Sequence, residues 1–177
     1  MKILTIAIPS YNSMDYMRNC IESLLPGGED VEILIVDDGS KDETPAIADE
    51  YEEKYPGIIR AIHQENGGHG EAVNTGIKNA TGLYFKVLDS DDCLGKKALE
   101  KVLDLLEDMV SKDAGLDMLV SNFMYDKQGT KHKKIMKYKS AMPVNRMFGW
   151  DELKFGMTQY LLMHSVIYRT KILRECG

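Results

Sequence analysis

The chain has 177 residues, 44% of them hydrophobic, which is enough for one domain with a real core. Its formal charge of -6 argues against broad contact with nucleic-acid phosphates, though not against a nucleotide held through a metal. Cys20, Cys93 and Cys176 are widely spaced and form no CxxC pair, so they fit reduced thiols of a cytosolic protein.

Residues 1 to 8, MKILTIAI, open like a signal peptide. The apolar stretch ends at Pro9-Ser10-Tyr11-Asn12, too early for a full signal and far short of a membrane span. It predicts a first strand over Leu4 to Ile8, stopped by Pro9. Tyr16, Met17, Ile21, Leu24 and Leu25 recur at helical spacing and predict a helix over 14–25, ended by Pro26-Gly27-Gly28. Val31 to Val36 is apolar apart from Glu32, as suits a parallel strand covered on both faces. Asp37-Asp38-Gly39-Ser40 forms the turn at its carboxyl end. Ser40 with Glu43 makes a candidate capping box for a helix that runs to Lys54, with Pro45 in its first turn.

Ile58 to His63 predicts a third strand, and Asn66-Gly67-Gly68-His69-Gly70 a flexible loop before a helix over Ala72 to Ala80. The fourth strand, Leu83 to Leu88, runs into Asp89-Ser90-Asp91-Asp92. A strongly amphipathic helix follows over 96–110 through Leu99, Val102, Leu103, Leu105 and Leu106, and then a further strand over Asp117 to Ser121. Alternating strands and helices predict an α/β fold, a mostly parallel central sheet flanked by helices.

Beyond Asn122 the pattern weakens. Asp126 to Gly129 reads as a hairpin turn, and Lys131 to Lys139 as a solvated basic edge or an attractor of phosphate. Met147 to Trp150 and Leu153 to Phe155 offer a small aromatic cluster, and Leu161 to Tyr168 predicts a strand. Lys171 to Cys176 begins a helical pattern that is cut off, from which we expect the natural chain to continue past Gly177. No Pro/Gly/Ser-rich linker divides the chain, and no apolar run is long enough to span a bilayer.

Chemistry concentrates in the two acidic turns. The carboxylates of Asp89, Asp91 and Asp92 repel one another and lose hydration unless something positive lies among them. A hard divalent cation with oxygen ligands does that, and can in turn hold a diphosphate; the plainer reading is an acidic turn that caps the next helix. Asp37-Asp38 closes a different strand, and parallel topology brings such strand ends to one edge, where a crevice binds ligands. Asp37 and Asp38 can accept hydrogen bonds from a base and ribose, or Asp37 can simply orient a loop. No GxGxxG and no GxxxxGK[ST] follows strand one. Tyr11 can pack its ring on a base or anchor the loop beneath it.

The remaining polar residues carry less. Lys86 is expected in a structural ion pair, and Lys78 and Lys96 on helix surfaces. His69 can contact a sugar or phosphate from its glycine-rich loop. His63 reads as structural, His164 as a packing residue or one that faces an acceptor pocket, and His132 as exposed.

Ala7-Ile8-Pro9-Ser10-Tyr11-Asn12, Ile35-Val36-Asp37-Asp38-Gly39-Ser40, Asn66-Gly67-Gly68 and Asp89-Ser90-Asp91-Asp92, in that order and at these intervals, resemble the N-terminal catalytic region of a family 2 glycosyltransferase. The match runs over roughly residues 3 to 110. The resemblance implies the GT-A fold, a Rossmann-like nucleotide-diphospho-sugar transferase fold, in a single domain over 1–177. Residues 1–122 would be its nucleotide-sugar-binding part and 123–177 the start of its acceptor side.

It further implies inverting sugar transfer from a nucleotide-diphosphate sugar, a UDP-sugar by expectation, with Mg or Mn, in cell-surface polysaccharide biosynthesis. Pro9 and Tyr11 would belong to the nucleotide loop, and Asp38 would contact the uracil or ribose. Gly67 and Gly68 would allow close backbone approach, Asp89 would approach ribose or sugar, and Asp91 would be the principal metal ligand. The acceptor would be a glycan, a lipid-linked saccharide or a polymer. The expected location is the cytoplasm or the cytoplasmic face of a membrane.

Such a reaction needs an Asp or Glu to deprotonate the acceptor hydroxyl. Asp151-Glu152, the late acidic pair, reads as a helix start, so the base is expected beyond Gly177. Two alternatives stay open: a non-catalytic nucleotide-sugar-binding module, and a sugar nucleotidyltransferase, which would ordinarily need a glycine-rich basic loop near strand one.

Overall fold

A computed structural model describes residues 1–125, 133–157 and 160–176. In chain order its elements are β1 (Leu4–Ser10), α1 (Met17–Leu24), β2 (Val31–Asp37), α2 (Thr44–Lys54), β3 (Ile59–His63), α3 (His69–Asn79), β4 (Tyr84–Val87), α4 (Lys96–Ser111), β5 (Met118–Val120), β6 (Phe123–Tyr125), β7 (Lys134–Met136), β8 (Val166–Arg169) and α5 (Thr170–Cys176). Six strands form one sheet in the order β3-β2-β1-β4-β8-β5. The first four strands run parallel, and β8 lies antiparallel to both β4 and β5. β6 and β7 pair antiparallel as a separate ribbon. The turn predicted at Asp126 to Gly129, together with Lys131 and His132, lies outside the described residues.

β1 and β2 are buried along their whole length, as their near-continuous apolar runs require of central parallel strands. Alternation sends Ile6, Ile8, Ile33 and Ile35 to one face, against α1, α2 and α4 through Met17, Ile21, Ile47, Tyr51, Leu99 and Leu106. Ala7, Leu34, Val36 and Phe85 face the other way, against Ala72 of α3 and Leu173 of α5. The result is three layers, a sheet between two sets of helices. Gly76 makes the α3 contact close: a Cβ there would meet the Ala7 Cβ at 2.7 Å.

Several boundaries differ from those predicted, each for an identifiable reason. Pro9 does not stop β1, which continues to Ser10 in register with Asp37. Ala7 O accepts from Leu88 N and Ser10 O from Asp38 N, so alternation turns the Pro9 nitrogen toward β4. Pairing with β4 ends at Ala7–Val87, so no hydrogen bond is lost there. The Ser40–Glu43 capping box does not form. The Ser40 hydroxyl accepts from Asn12 N, and Asp42 Oδ1 takes the Thr44 N–H that opens α2. α3 begins at His69 rather than Ala72 because Gly68, at φ 87, serves as its cap. The strand predicted over Leu161 to Tyr168 is a 3-10 turn, Met163–Ser165, followed by β8; the Ser165 amide and hydroxyl both donate to Leu162 O and close that turn. Asp151-Glu152 likewise lies in a single 3-10 turn, Trp150–Glu152, and starts no α-helix.

Glu32 is a carboxylate inside an otherwise apolar strand. It is 4% exposed and accepts from Thr5 Oγ1 at 2.6 Å, Thr81 N at 2.7 Å and Arg60 Nη1 at 3.1 Å. Burial alone would raise its pKa, but the Thr5, Thr81 and Arg60 donors hold it below the ordinary value. Glu32→Ala leaves those donors unpaired and is expected to cost about 3 kcal/mol in urea unfolding. Glu32→Gln, which still accepts from one side, should lose clearly less.

His63, at the end of β3, places Nδ1 3.0 Å from Asp37 Oδ2 and Nε2 3.0 Å from Asp49 Oδ1. The bond to Asp37 raises its pKa against burial, with Asp49 adding to the rise. A raised folded-state pKa contributes stability that is complete below the unfolded value of about 6.5 and is lost as pH rises through the folded value. The unfolding midpoint of the wild type relative to His63→Gln should therefore be highest at about pH 5.5 and should fall toward about pH 8.5. A difference that stays constant over that range would contradict the assignment.

Candidate functional site

Parallel pairing of β1 with β2 and β4 delivers the chain after Ser10, Asp37 and Val87 to the same sheet edge. There Pro9, Tyr11, Asn12, Ser13, Tyr16, His69, Asp89, Ser90 and Asp91 line an open cleft of about 330 Å³. The Tyr11 and Tyr16 rings are half exposed on it. Of the residues singled out in the sequence, Pro9, Tyr11, Asp89 and Asp91 lie on the cleft wall. Asp38, Gly67 and Gly68 are not among its lining residues and form one hydrogen-bonded unit.

That unit is built on a single carboxylate. Asp38 is 3% exposed, and it accepts from Gln64 Nε2 at 2.7 Å and from Gly67 N and Gly68 N at 2.8 Å each. Burial would raise its pKa; the Gly67, Gln64 and Gly68 donors outweigh it and hold the group below the ordinary carboxylate value. Gly68 needs its glycine for the positive φ that turns the loop into α3. Asp38 thus sets the entry of α3 and, with it, His69, whose Nε2 lies 3.1 Å from Asp89 Oδ1. Asp37 does orient a loop: its Oδ1 accepts from Ser40 N at 3.0 Å, and its Oδ2 meets His63.

On the β1 side, Ser13 joins the two strand ends, with its Oγ 2.8 Å from Ser90 Oγ and its N–H donating to Thr44 Oγ1. Asn12 adopts φ 50 and accepts from Lys41 N. Beneath the acidic loop, the buried Cys20 thiol donates to Asp89 O, and burial pushes its pKa up.

The acidic loop has a partner that sequence reasoning missed. His164, just before β8, brings Nδ1 to 3.3 Å from Asp92 Oδ2 and 3.7 Å from Asp89 Oδ2. One ligand atom from each of these residues falls within 4.8 Å of the others. His164 Nδ1 is buried and has no hydrogen-bond partner, although two carboxylates face it. An imidazole nitrogen and two carboxylates with unfilled lone pairs form a donor set suited to a divalent cation, so the residues present fit such an ion. Burial raises the pKa of Asp92; His164 opposes the rise, while Asp91 and Asp89 add to it. Asp91 lies outside this trio, lines the cleft, and has no hydrogen bond or ion pair through its carboxylate among the described residues.

Lys86 is not the ion pair expected. It is 3% exposed and donates from Nζ to His164 O at 2.7 Å, and burial pulls its pKa down to about 8. Two sequence signals pointed here, a lysine within an apolar strand and His164-Ser165 within another. Neither could be joined to the other before β8 was known to return beside β4.

A second cleft, of about 540 Å³, is lined by Lys139 to Pro143, Arg146, Asp151, Glu152 and Lys154, and shares no residue with the first. Glu152 is taken up by a two-pronged contact with the Arg146 guanidinium.

The sequence matches the family "Glycosyl transferase family 2" over residues 5–175. An uncharacterized glycosyltransferase of Rickettsia felis is 38% identical over 149 residues, covering 82% of this chain and 23% of its own length. The crystal structure of S. aureus TarS 1-349 superposes with a TM-score of 0.74 at 25% identity, over 99% of this chain and 49% of that one, and the same protein is known in complex with UDP-GlcNAc. A mannosyltransferase, PcManGT from Pyrobaculum calidifontis, in complex with GDP-Man and Mn2+, shares the fold with a TM-score of 0.55 at 20% identity, over 66% of this chain and 34% of its own. The chain thus spans about a quarter of the R. felis relative and about half of the TarS fragment. With its sheet order, its acidic strand ends and this family match over nearly the whole sequence, the chain belongs to glycosyl transferase family 2.

Proposed function

We propose that this chain is the donor-binding part of a metal-assisted, inverting glycosyltransferase. It takes a nucleotide-diphosphate sugar, a UDP-sugar, and transfers the sugar to a saccharide or lipid-linked acceptor. The observation that carries the reading is the convergence of Asp89, Asp92 and a His164 Nδ1 that makes no hydrogen bond, beside a cleft whose wall includes Asp91 and Tyr11. The UDP-GlcNAc bound by TarS and the Mn2+ bound by PcManGT support the choice of donor and of Mg or Mn.

In this reading Pro9 and Tyr11 receive the nucleotide. Asp38 meets the uracil or ribose, and the same carboxylate holds Gly67 and Gly68 so that backbone can approach closely. Asp89 is the carboxylate nearest ribose and sugar. Asp91, free of protein partners among the described residues, is the principal ligand toward the diphosphate, with Asp89, Asp92 and His164 as the neighbouring donors. A divalent cation held there would neutralise the charge that develops on the departing diphosphate. Residues 1–122 form the nucleotide-sugar-binding part and 123–177 the first of the acceptor side.

Glu152 is committed to Arg146, and Asp151 shares its 3-10 turn on a cleft that has no residue in common with the first, so we place the base that takes the acceptor proton beyond Gly177. The same observation favours, as a second reading, a nucleotide-sugar-binding module without turnover of its own. We place the chain in the cytoplasm or at the cytoplasmic face of a membrane; among the described residues no helix is long and apolar enough to cross a membrane.

Calorimetric titration with UDP and UDP-sugars, with and without Mn, tests the site. Binding should require the metal. Asp91→Ala should weaken it by more than about tenfold, and Asp38→Ala by less, since a nucleoside contact and loop order rather than a metal ligand are lost. Equal binding by wild type and Asp91→Ala in Mn overturns the metal role. Sugar transfer by a longer chain, absent from this one at similar donor affinity, separates the enzyme from the binding module.

A further inference from the structure

We propose that Lys86 is a positioning residue for the metal centre: through its bond to His164 O it fixes the 3-10 turn that aims the His164 imidazole at Asp89 and Asp92. This inference rests on the reading of Asp89, Asp92 and His164 as metal ligands.

Lys86 sits in the middle of β4, on the strand that ends in the acidic loop. Its neighbours Tyr84, Phe85 and Leu88 are all core residues. A methionine would fill the same volume without the cost of burying an ammonium group, which is several kcal/mol for an isolated ion. An ammonium at this position is tolerable because anions lie ahead of it: the charges of Asp92 and Asp89 both favour its protonated form. Packing needs none of this, but aiming His164 does.

The geometry shows how the aim is set. β4 pairs with β8 through Tyr84–Arg169 and Phe85–Tyr168, which brings the residues preceding Val166 back past Lys86. His164 lies within the Met163–Ser165 turn. Ser165 is fixed by its own bonds to Leu162 O and by the Ser121 N–H donating to Ser165 O at 2.7 Å. The carbonyl of His164 itself is held by Lys86 Nζ at 2.7 Å. Phe123 packs against the imidazole, with ring centroids 5.8 Å apart. With carbonyl and ring both held, Nδ1 has little freedom except toward the two carboxylates. Groups that orient a metal ligand typically change affinity by about 10- to 100-fold when removed.

Mn2+ binding, followed by electron paramagnetic resonance, supplies a readout that a merely structural lysine would not move. Pulsed measurements on the bound ion report whether an imidazole nitrogen coordinates it. Wild type should show the nitrogen coupling, and His164→Ala should lose it. Lys86→Met, with its fold checked by circular dichroism, should bind Mn2+ at least about tenfold more weakly and lose or reduce the coupling. Lys86→Met on top of His164→Ala should add less than about twofold, because the lysine acts through the histidine. Should Lys86→Met fail to fold, Lys86→Gln is read against the same outcomes, since its shorter amide does not reach the carbonyl as the ammonium does. Unchanged affinity and coupling in the Lys86 variant, with both lost in His164→Ala, overturns the positioning role alone. The absence of any Mn2+ binding by wild type overturns the metal reading itself, and this inference falls with it.

Discussion

Carboxylates gathered at one edge of a parallel sheet repel one another, and the structure of this site follows from how each is answered. Asp37 is met by the Ser40 amide and His63, Asp38 by two glycine amides and Gln64, Asp89 by His69, and Asp92 by His164. Apart from the Ser40 amide, these answers come from segments at least 20 residues away in sequence, so each also ties a loop to the sheet. Asp38 orders the turn into α3, and His164 draws the late part of the chain to the acidic loop. Asp91 is left facing the cleft without a protein partner among the described residues. Unbalanced negative charge is therefore concentrated where a cation and a diphosphate would meet.

The division between core and site is sharp. Strand β2 runs apolar from Ile33 to Val36 and then turns acidic at Asp37-Asp38, and β4 leads through buried Leu88 into Asp89, so rigid packing ends one step before the chemistry begins. The exception is Glu32, whose donors from Thr5, Thr81 and Arg60 hold neighbouring strands and the turn before β4 to one another. A fully paired carboxylate in the sheet and an unpaired one on the cleft serve opposite ends, the first rigidity and the second binding.

The α/β architecture was legible because β1, β2 and β4 are strongly apolar and α4 strongly periodic; their predicted spans agree with the structure to within a residue or two. Local chemistry was read less well where a side chain had two possible partners. Ser40 could cap its own helix or serve Asn12, and only tertiary placement decided for Asn12. Pro9 looked like a stop, yet its missing N–H falls on the side where pairing has already ended. Pro9, Tyr11, Asp89 and Asp91 were found on the cleft wall because strand ends in a parallel sheet share an edge. His164 and Lys86 were not connected to that site, since nothing local announces that a late strand returns antiparallel beside β4. The late region has short strands and 3-10 turns, and its weak periodicity offered little to read.

The contact of Gly76 with Ala7 has a mechanical consequence. A helix seated so close to the strand beneath it cannot roll or slide without driving backbone into a methyl group. Any adjustment of Gly67, Gly68 and His69 around a guest must then be made by peptide rotation in the few residues ahead of α3, with the helix as a fixed anvil. Enlarging residue 76 would lift that anvil from the sheet and blunt the site from behind, without altering a single group that a ligand touches.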